Sequence, residues 1–183
     1  MDAIFDSAGV PIAYTVTGEG PPVLLIHGFG SNRHVNWEDT GWIKHLSAAG
    51  HQVISFDNRG HGDSGKLYQP PEYGAAVMAE DARRLLDHLQ IPVADVMGYS
   101  MGARISALLA IAHPARVRRL VLAGLAANMI LGVPGSEEIA TALEAPDMAA
   151  IPSGQPRAFR QFAEQTRSDR RALAACMRNS RQL

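Results

Sequence analysis

Gly98-Tyr99-Ser100-Met101-Gly102 is the stretch that decides how this chain is read. It has the form G-x-S-x-G. The run Val93–Met97 leads into it with strand character, and the apolar run Met101–His113 leaves it with helix character. A serine between the two sits at a tight strand-to-helix turn, which predicts φ > 0 or another sparsely populated backbone conformation at Ser100. Residues two before and two after the serine approach each other there, so a side chain at Gly98 or Gly102 would clash. The turn lifts the Ser100 hydroxyl off the sheet, beside a helix N-terminus whose partial positive charge favours a developing anion. Ser100 is therefore the candidate nucleophile.

Working outward, the short apolar run Pro22–Ile26 reads as a strand buried on both faces and stops at His27-Gly28-Phe29-Gly30. Attack on a carbonyl needs two backbone N–H groups aimed at the oxygen that becomes negative. The N–H groups of Phe29 and Met101 are the candidates, and Gly28 is a loop glycine beside them. Trp37 and Tyr99 are candidate pocket residues, and Tyr99 serves equally as packing. Ile4–Asp6 and Ile12–Val16 flank a turn at Ser7-Ala8-Gly9-Val10, a hairpin. Trp42–Ala49 reads as a helix stopped by Gly50, and Gln52–Phe56 as the next strand. Met78, Ala82, Leu85, Leu86 and Leu89 mark one helix face, and Val117–Ala123 reads as a further strand. The fold class is α/β: a mostly parallel sheet with helices on both faces.

After residue 123 the character changes. An apolar linker over 124–134 leads to a helix start at Ser136-Glu137-Glu138, with acids in the first turn. Phe159, Phe162, Ala163 and Thr166 give one face of another helix, and no strand pattern returns before Leu183. The expected organisation is a core over 1–123 and a helical cap segment over 124–183.

A third motif, Phe56-Asp57-Asn58-Arg59-Gly60-His61-Gly62-Asp63-Ser64-Gly65, follows the Gln52–Phe56 strand. Together and in this order, the three motifs resemble the α/β-hydrolase superfamily over roughly residues 1–123. The resemblance is to its group of small esterases, lactonases, epoxide hydrolases, C–C hydrolases and cofactor-free haloperoxidases. It implies that the Asp57–Gly65 turn is structural, and that His61 and Asp63, which precede the nucleophile, stand outside the family order of Ser, then acid, then His. Serine rather than aspartate at position 100 favours acyl transfer on an ester, lactone or similar small-molecule carbonyl. Two alternatives stay open: a haloperoxidase or perhydrolase using the same residues, and a non-catalytic binding module that has lost its triad partners.

Past Ser100 the only histidine is His113, at the far end of the helix that begins there, roughly 20 Å away at 1.5 Å per residue. Glu144, Asp147 and Asp169 fall in the helical segment. The resemblance thus implies that the catalytic acid and histidine come from sequence beyond Leu183. Without further strands, Val117–Ala123 would be an exposed apolar edge, a route to self-association.

Composition narrows the partners. The 17 Lys+Arg against 18 Asp+Glu leave a net charge of −1, which gives no reason to expect nucleic acid or an anionic membrane. The C-terminal arginines (Arg157, Arg160, Arg167, Arg170, Arg171, Arg178, Arg181) read as a solvated face of the cap. The single cysteine, Cys176, excludes an internal disulfide and reads as a buried apolar residue. The histidines lack metal-ligand spacing, so neither a metal nor a cofactor is expected. The acidic N-terminus lacks a signal-peptide pattern, and the expected location is cytoplasmic.

Overall fold

The computed structural model describes residues 2–125 and 134–179. β1 (Asp2–Ser7) and β2 (Val10–Thr17) form the expected hairpin. β3 (Pro22–Ile26), β4 (Gln52–Phe56), β5 (Ala94–Tyr99) and β6 (Val117–Ala123) run parallel to one another, and β2 joins them antiparallel to β4. The six-stranded sheet has the order β1-β2-β4-β3-β5-β6. Three helices connect the parallel strands: α1 (Trp42–Ala48), α2 (Ala75–His88) and α3 (Met101–Ala112). A wide π-type turn, His34–Glu38, precedes α1 and was not legible in the sequence.

Alternation along the strands explains why β3 reads as unbroken apolar sequence. Val23 and Leu25, with Val53 of β4, pack on Trp37 and on Ile43 and Leu46 of α1. Leu24 and Ile26, with Ile54, Phe56 and Val96, join the larger core with Leu85 of α2 and Ile105 and Leu109 of α3. Both sets are buried because helices cover both faces. β5 continues two residues beyond the strand expected from sequence, through Gly98 and Tyr99, so it delivers Ser100 directly to α3.

Of the expected linker over 124–134, residues 126–133 lie outside the described residues. Beyond it come α4 (Ser136–Glu144), α5 (Gln155–Gln165) and α6 (Arg170–Arg178). Ile139, Leu143, Ala163, Leu173 and Met177 form a cluster of their own, against which Phe29 and Phe159 pack. The arginines there are not a uniformly solvated face. Arg160 is buried and donates to the carbonyls of Ala142 (3.0 Å) and Ala145 (2.6 Å), the unsatisfied C-terminal end of α4. Arg178 pairs with Glu137 and Glu144 of the same helix. Arg181 lies outside the described residues.

β6 ends the sheet, and its side chains are uncovered on both faces: Leu120 is 37%, Val121 51% and Leu122 39% exposed. Among the described residues no helix is long and apolar enough to cross a membrane.

Candidate active site

After β3 the chain moves to β4 on one flank; it then crosses back, and β5 lies on the other flank of β3. The loops leaving the C-terminal ends of β3 and β5 therefore diverge. A crevice opens between them, the place where open α/β sheets bind ligands. The loop after β3 is His27-Gly28-Phe29-Gly30; the one after β5 starts at Ser100.

Ser100 has φ 53° and ψ −116° and stands at the N-terminal end of α3. A non-glycine residue held there stores on the order of 1–3 kcal/mol of strain. Its backbone is pinned: the N–H donates to Ala123 O at 2.8 Å, and the carbonyl accepts from the Ala103 and Arg104 N–H groups at 2.9 and 3.3 Å. A Cβ on Gly98 would lie 2.2 Å from Gly102 O, and one on Gly102 only 2.0 Å from Ile26 O. Both positions must be glycine for the strand and helix to cross this closely. A Cβ on Gly28 would sit 3.2 Å from the Tyr99 ring and 3.3 Å from Ser100 Cβ, so Gly28 lets the two loops meet.

The loop after β3 is held without using its central N–H. Gly28 N–H donates to Asn36 Oδ1 at 3.0 Å, and Gly28 O accepts from Ser31 N–H at 3.3 Å. The Phe29 and Met101 N–H groups have no acceptor among the described residues. Met101 opens α3, where the helix itself offers no acceptor. The helical segment after residue 134 grips the same loop: Thr166 Oγ1 donates to Gly30 O at 2.9 Å, and the Phe29 and Phe159 rings meet edge-on at 5.7 Å.

Ser100 opens on two concavities. One is a cavity of about 110 Å³ lined largely by Phe29, Met78, Met101, Phe159, Cys176 and Met177, the last three from α5 and α6. The other is an open groove of about 510 Å³, lined in part by Trp37, Tyr99 and Trp42. Trp37 is 1% exposed and mainly a core residue, whereas Tyr99 is 47% exposed. Cys176 is buried, which pushes its thiol up to about 12, and its Sγ lies 3.9 Å from Met101 Sδ. It is an apolar wall of the cavity, not a nucleophile.

Ser100 Oγ has no hydrogen-bond partner among the described residues, and all seven histidines are engaged elsewhere. His27 Nε2 accepts from Asn58 N–H at 3.0 Å, so its proton is on Nδ1, which donates to Gly28 O at 2.8 Å. His61 Nδ1 donates to Arg59 O at 3.0 Å, and the ring packs on those of His27 and Phe29. Burial lowers His27 to about 4 and His61 to about 3, so both are neutral near pH 7. His34 pairs with Glu38 and His113 with Glu80. His45 and His51 meet the backbone carbonyls of Gly41 and Pro21, and His88 meets the Tyr14 hydroxyl.

Sequence reasoning passed over Arg104. It lines the cavity with Ser100, and the signal was available: it is the sole charge in the otherwise apolar Met101–Ala112.

The profile of the alpha/beta hydrolase fold family matches residues 21–172. The chain belongs to the α/β-hydrolase fold family. It is 37% identical over 118 residues to 2-hydroxymuconate semialdehyde hydrolase of Pseudomonas sp. (strain CF600), covering 64% of this chain and 41% of that protein. Its identity to a rhodomycin D methylesterase of Streptomyces sp. (strain C5) is 38% over 102 residues, covering 55% of this chain and 34% of that one. A crystal structure of a hydrolase from Pseudomonas aeruginosa PA01 aligns with a TM-score of 0.77 at 25% identity, over 98% of this chain and 72% of that chain. The chain thus spans about two fifths or less of the length of these two curated relatives. By name these relatives are hydrolases and a methylesterase.

Proposed function

We propose that the chain carries the nucleophile of a serine hydrolase acting on a carboxylic ester, lactone or similar small-molecule carbonyl. The observation that carries this reading is Ser100 itself: strained at φ 53°, at a helix N-terminus, facing two concavities. The nearby Phe29 and Met101 N–H groups, which lack acceptors among the described residues, support it. In this reading Ser100 Oγ attacks the carbonyl carbon and the two N–H groups stabilise the oxyanion. The bond to the leaving alcohol then breaks, and water releases the acid from the acyl-enzyme. The methylesterase relative supports an ester among the possible carbonyls.

Attack needs a base to take the Ser100 proton, and protonation of the leaving group needs its conjugate acid. The seven histidines do not supply it. Loss of a triad member costs on the order of 10⁴ to 10⁶ in kcat in serine proteases. The 183-residue chain is therefore expected to turn over p-nitrophenyl acetate near background. That engagement of every histidine favours, as the second reading, a binding module on this fold.

A fluorophosphonate probe separates the two. Slow modification mapped to Ser100 by peptide mass spectrometry, and absent in a folded Ser100→Ala variant, supports the hydrolase. Complete inertness of Ser100 in a folded chain supports the binding module. Peroxide-dependent halogenation of monochlorodimedone would instead point to a haloperoxidase.

A further inference from the structure

The cavity beside Ser100 contains a cation that acyl transfer does not require. Arg104 lies four residues along α3 from Ser100, about 6 Å at 1.5 Å per residue. Side chains on a helix lean towards its N-terminus, so Arg104 leans back towards the nucleophile, and both line the same cavity. Arg104 is 7% exposed, and burial lowers its pKa. A guanidinium still stays charged at any pH the protein would meet.

The rest of the lining is mostly apolar. Tyr73 contributes a hydroxyl that is already committed to Leu67 O at 2.6 Å, and Asn179 contributes an amide. Among the described residues no carboxylate lines the cavity. An apolar acyl group would be served better by Leu or Met at position 104, because burying a charge is costly. The guanidinium has five N–H donors, so holding a protein acceptor leaves others for a ligand. A carboxylate meeting it in an apolar cavity makes a charge-assisted, two-pronged hydrogen bond that water would otherwise weaken.

We propose that Arg104 is a specificity-determining residue for substrates whose acyl part carries a second, free carboxylate a few atoms from the scissile carbonyl. This rests on the reading of Ser100 as the nucleophile. Size narrows the class further. An engineered apolar cavity of about 150 Å³ takes benzene, so the cavity of about 110 Å³ has room only for the acyl chain of a short aliphatic diacid half-ester or the matching lactone acid, its alcohol part lying in the groove that Ser100 also lines.

Calorimetric titration of the 183-residue chain with monomethyl glutarate and with its neutral counterpart, dimethyl glutarate, tests the proposal. The half-ester is expected to bind about tenfold tighter or more, in line with a hydrogen bond to a charged group. Arg104→Gln should bring the two ligands together, and Arg104→Lys should keep part of the preference. Equal binding of the two ligands, tighter binding of the diester, or no binding of the half-ester at millimolar concentration overturns it. So does an undiminished preference in a folded Arg104→Gln variant. The wild-type comparison stands even where a variant fails to fold. Fluorophosphonate labelling of Ser100 reports on the nucleophile separately. Labelled Ser100 without anion preference removes only the role of Arg104; anion preference with inert Ser100 removes only acyl transfer.

Discussion

The Asp57–Gly65 turn buries Asp57 and Arg59 and pairs each of its charges, leaving only Asn58 Oδ1 and His61 Nε2 as buried polar side-chain atoms without a partner among the described residues, whereas the elbow keeps a hydroxyl and two N–H groups unpaired. Asp57 accepts from the Arg33 backbone and guanidinium and from Asp63 N–H. Arg59 meets Asp81 through two bonds of 2.7 Å, and Ser7 donates to the same carboxylate. Asn58 holds His27 from both sides. At the elbow, Ser100 Oγ and the Phe29 and Met101 N–H groups have no partner among the described residues. Satisfied polar groups fix a position and are inert; a strained group with spare hydrogen-bonding capacity is what a reaction uses. The residues that look most catalytic by type, His27 and His61, belong to the scaffold.

If that contrast holds, the largest effect on stability comes from the paired region. Asp81→Ala leaves the Arg59 guanidinium buried without its carboxylate and should cost about 3–5 kcal/mol, measured by urea unfolding. A cost below about 1 kcal/mol would break the comparison, since Arg59 would then be solvated easily.

A pH titration sharpens it. His27 and His61 are buried neutral, at about 4 and about 3 against 6.5 in the unfolded chain. Below pH 6.5 the unfolded state binds more protons, so stability is full above 6.5 and falls as the pH drops towards 4. Each histidine contributes at most about 1.4 kcal/mol per pH unit in that window. His61→Gln should flatten the loss between pH 6.5 and 4.5. An unchanged slope in that variant would mean that His61 is not the buried neutral group described.

At the elbow the expected effect is smaller. Gly102→Ala gains about 1 kcal/mol of helix propensity, but its Cβ would press on Ile26 O at 2.0 Å. The clash wins, with a net cost of about 2–3 kcal/mol and weaker Ser100 labelling. A stabilised variant would show that the crossing is looser than the geometry states.

The smallest stability effect belongs to β6. We propose that this uncovered apolar edge pairs with another copy of the chain. Val121→Lys should shift sedimentation towards monomer while changing the melting free energy by less than about 0.5 kcal/mol. A wild-type chain that stays monomeric at high concentration removes the proposal.

Local chemistry was readable in the sequence because it is written in consecutive residues. A strand, a tight turn needing glycine on both sides of a serine, and an apolar helix follow one another between positions 93 and 113. The alternation of β3 and the stops at glycine and proline required nothing from distant sequence. The partners of polar groups could not be read that way. Asn58 meets His27 across 31 positions, and Thr166 meets Gly30 across 136. Such pairings depend on the order β4-β3-β5, which brings separate loops to one crevice. The same folding turned Arg104, one charge in an apolar helix, into the cation of a cavity, and gave every histidine a neighbour other than Ser100. Sequence alone determined that a strained serine would stand at a strand end. Only tertiary packing decided what surrounds it, because burial and hydrogen-bond satisfaction are properties of neighbours in space.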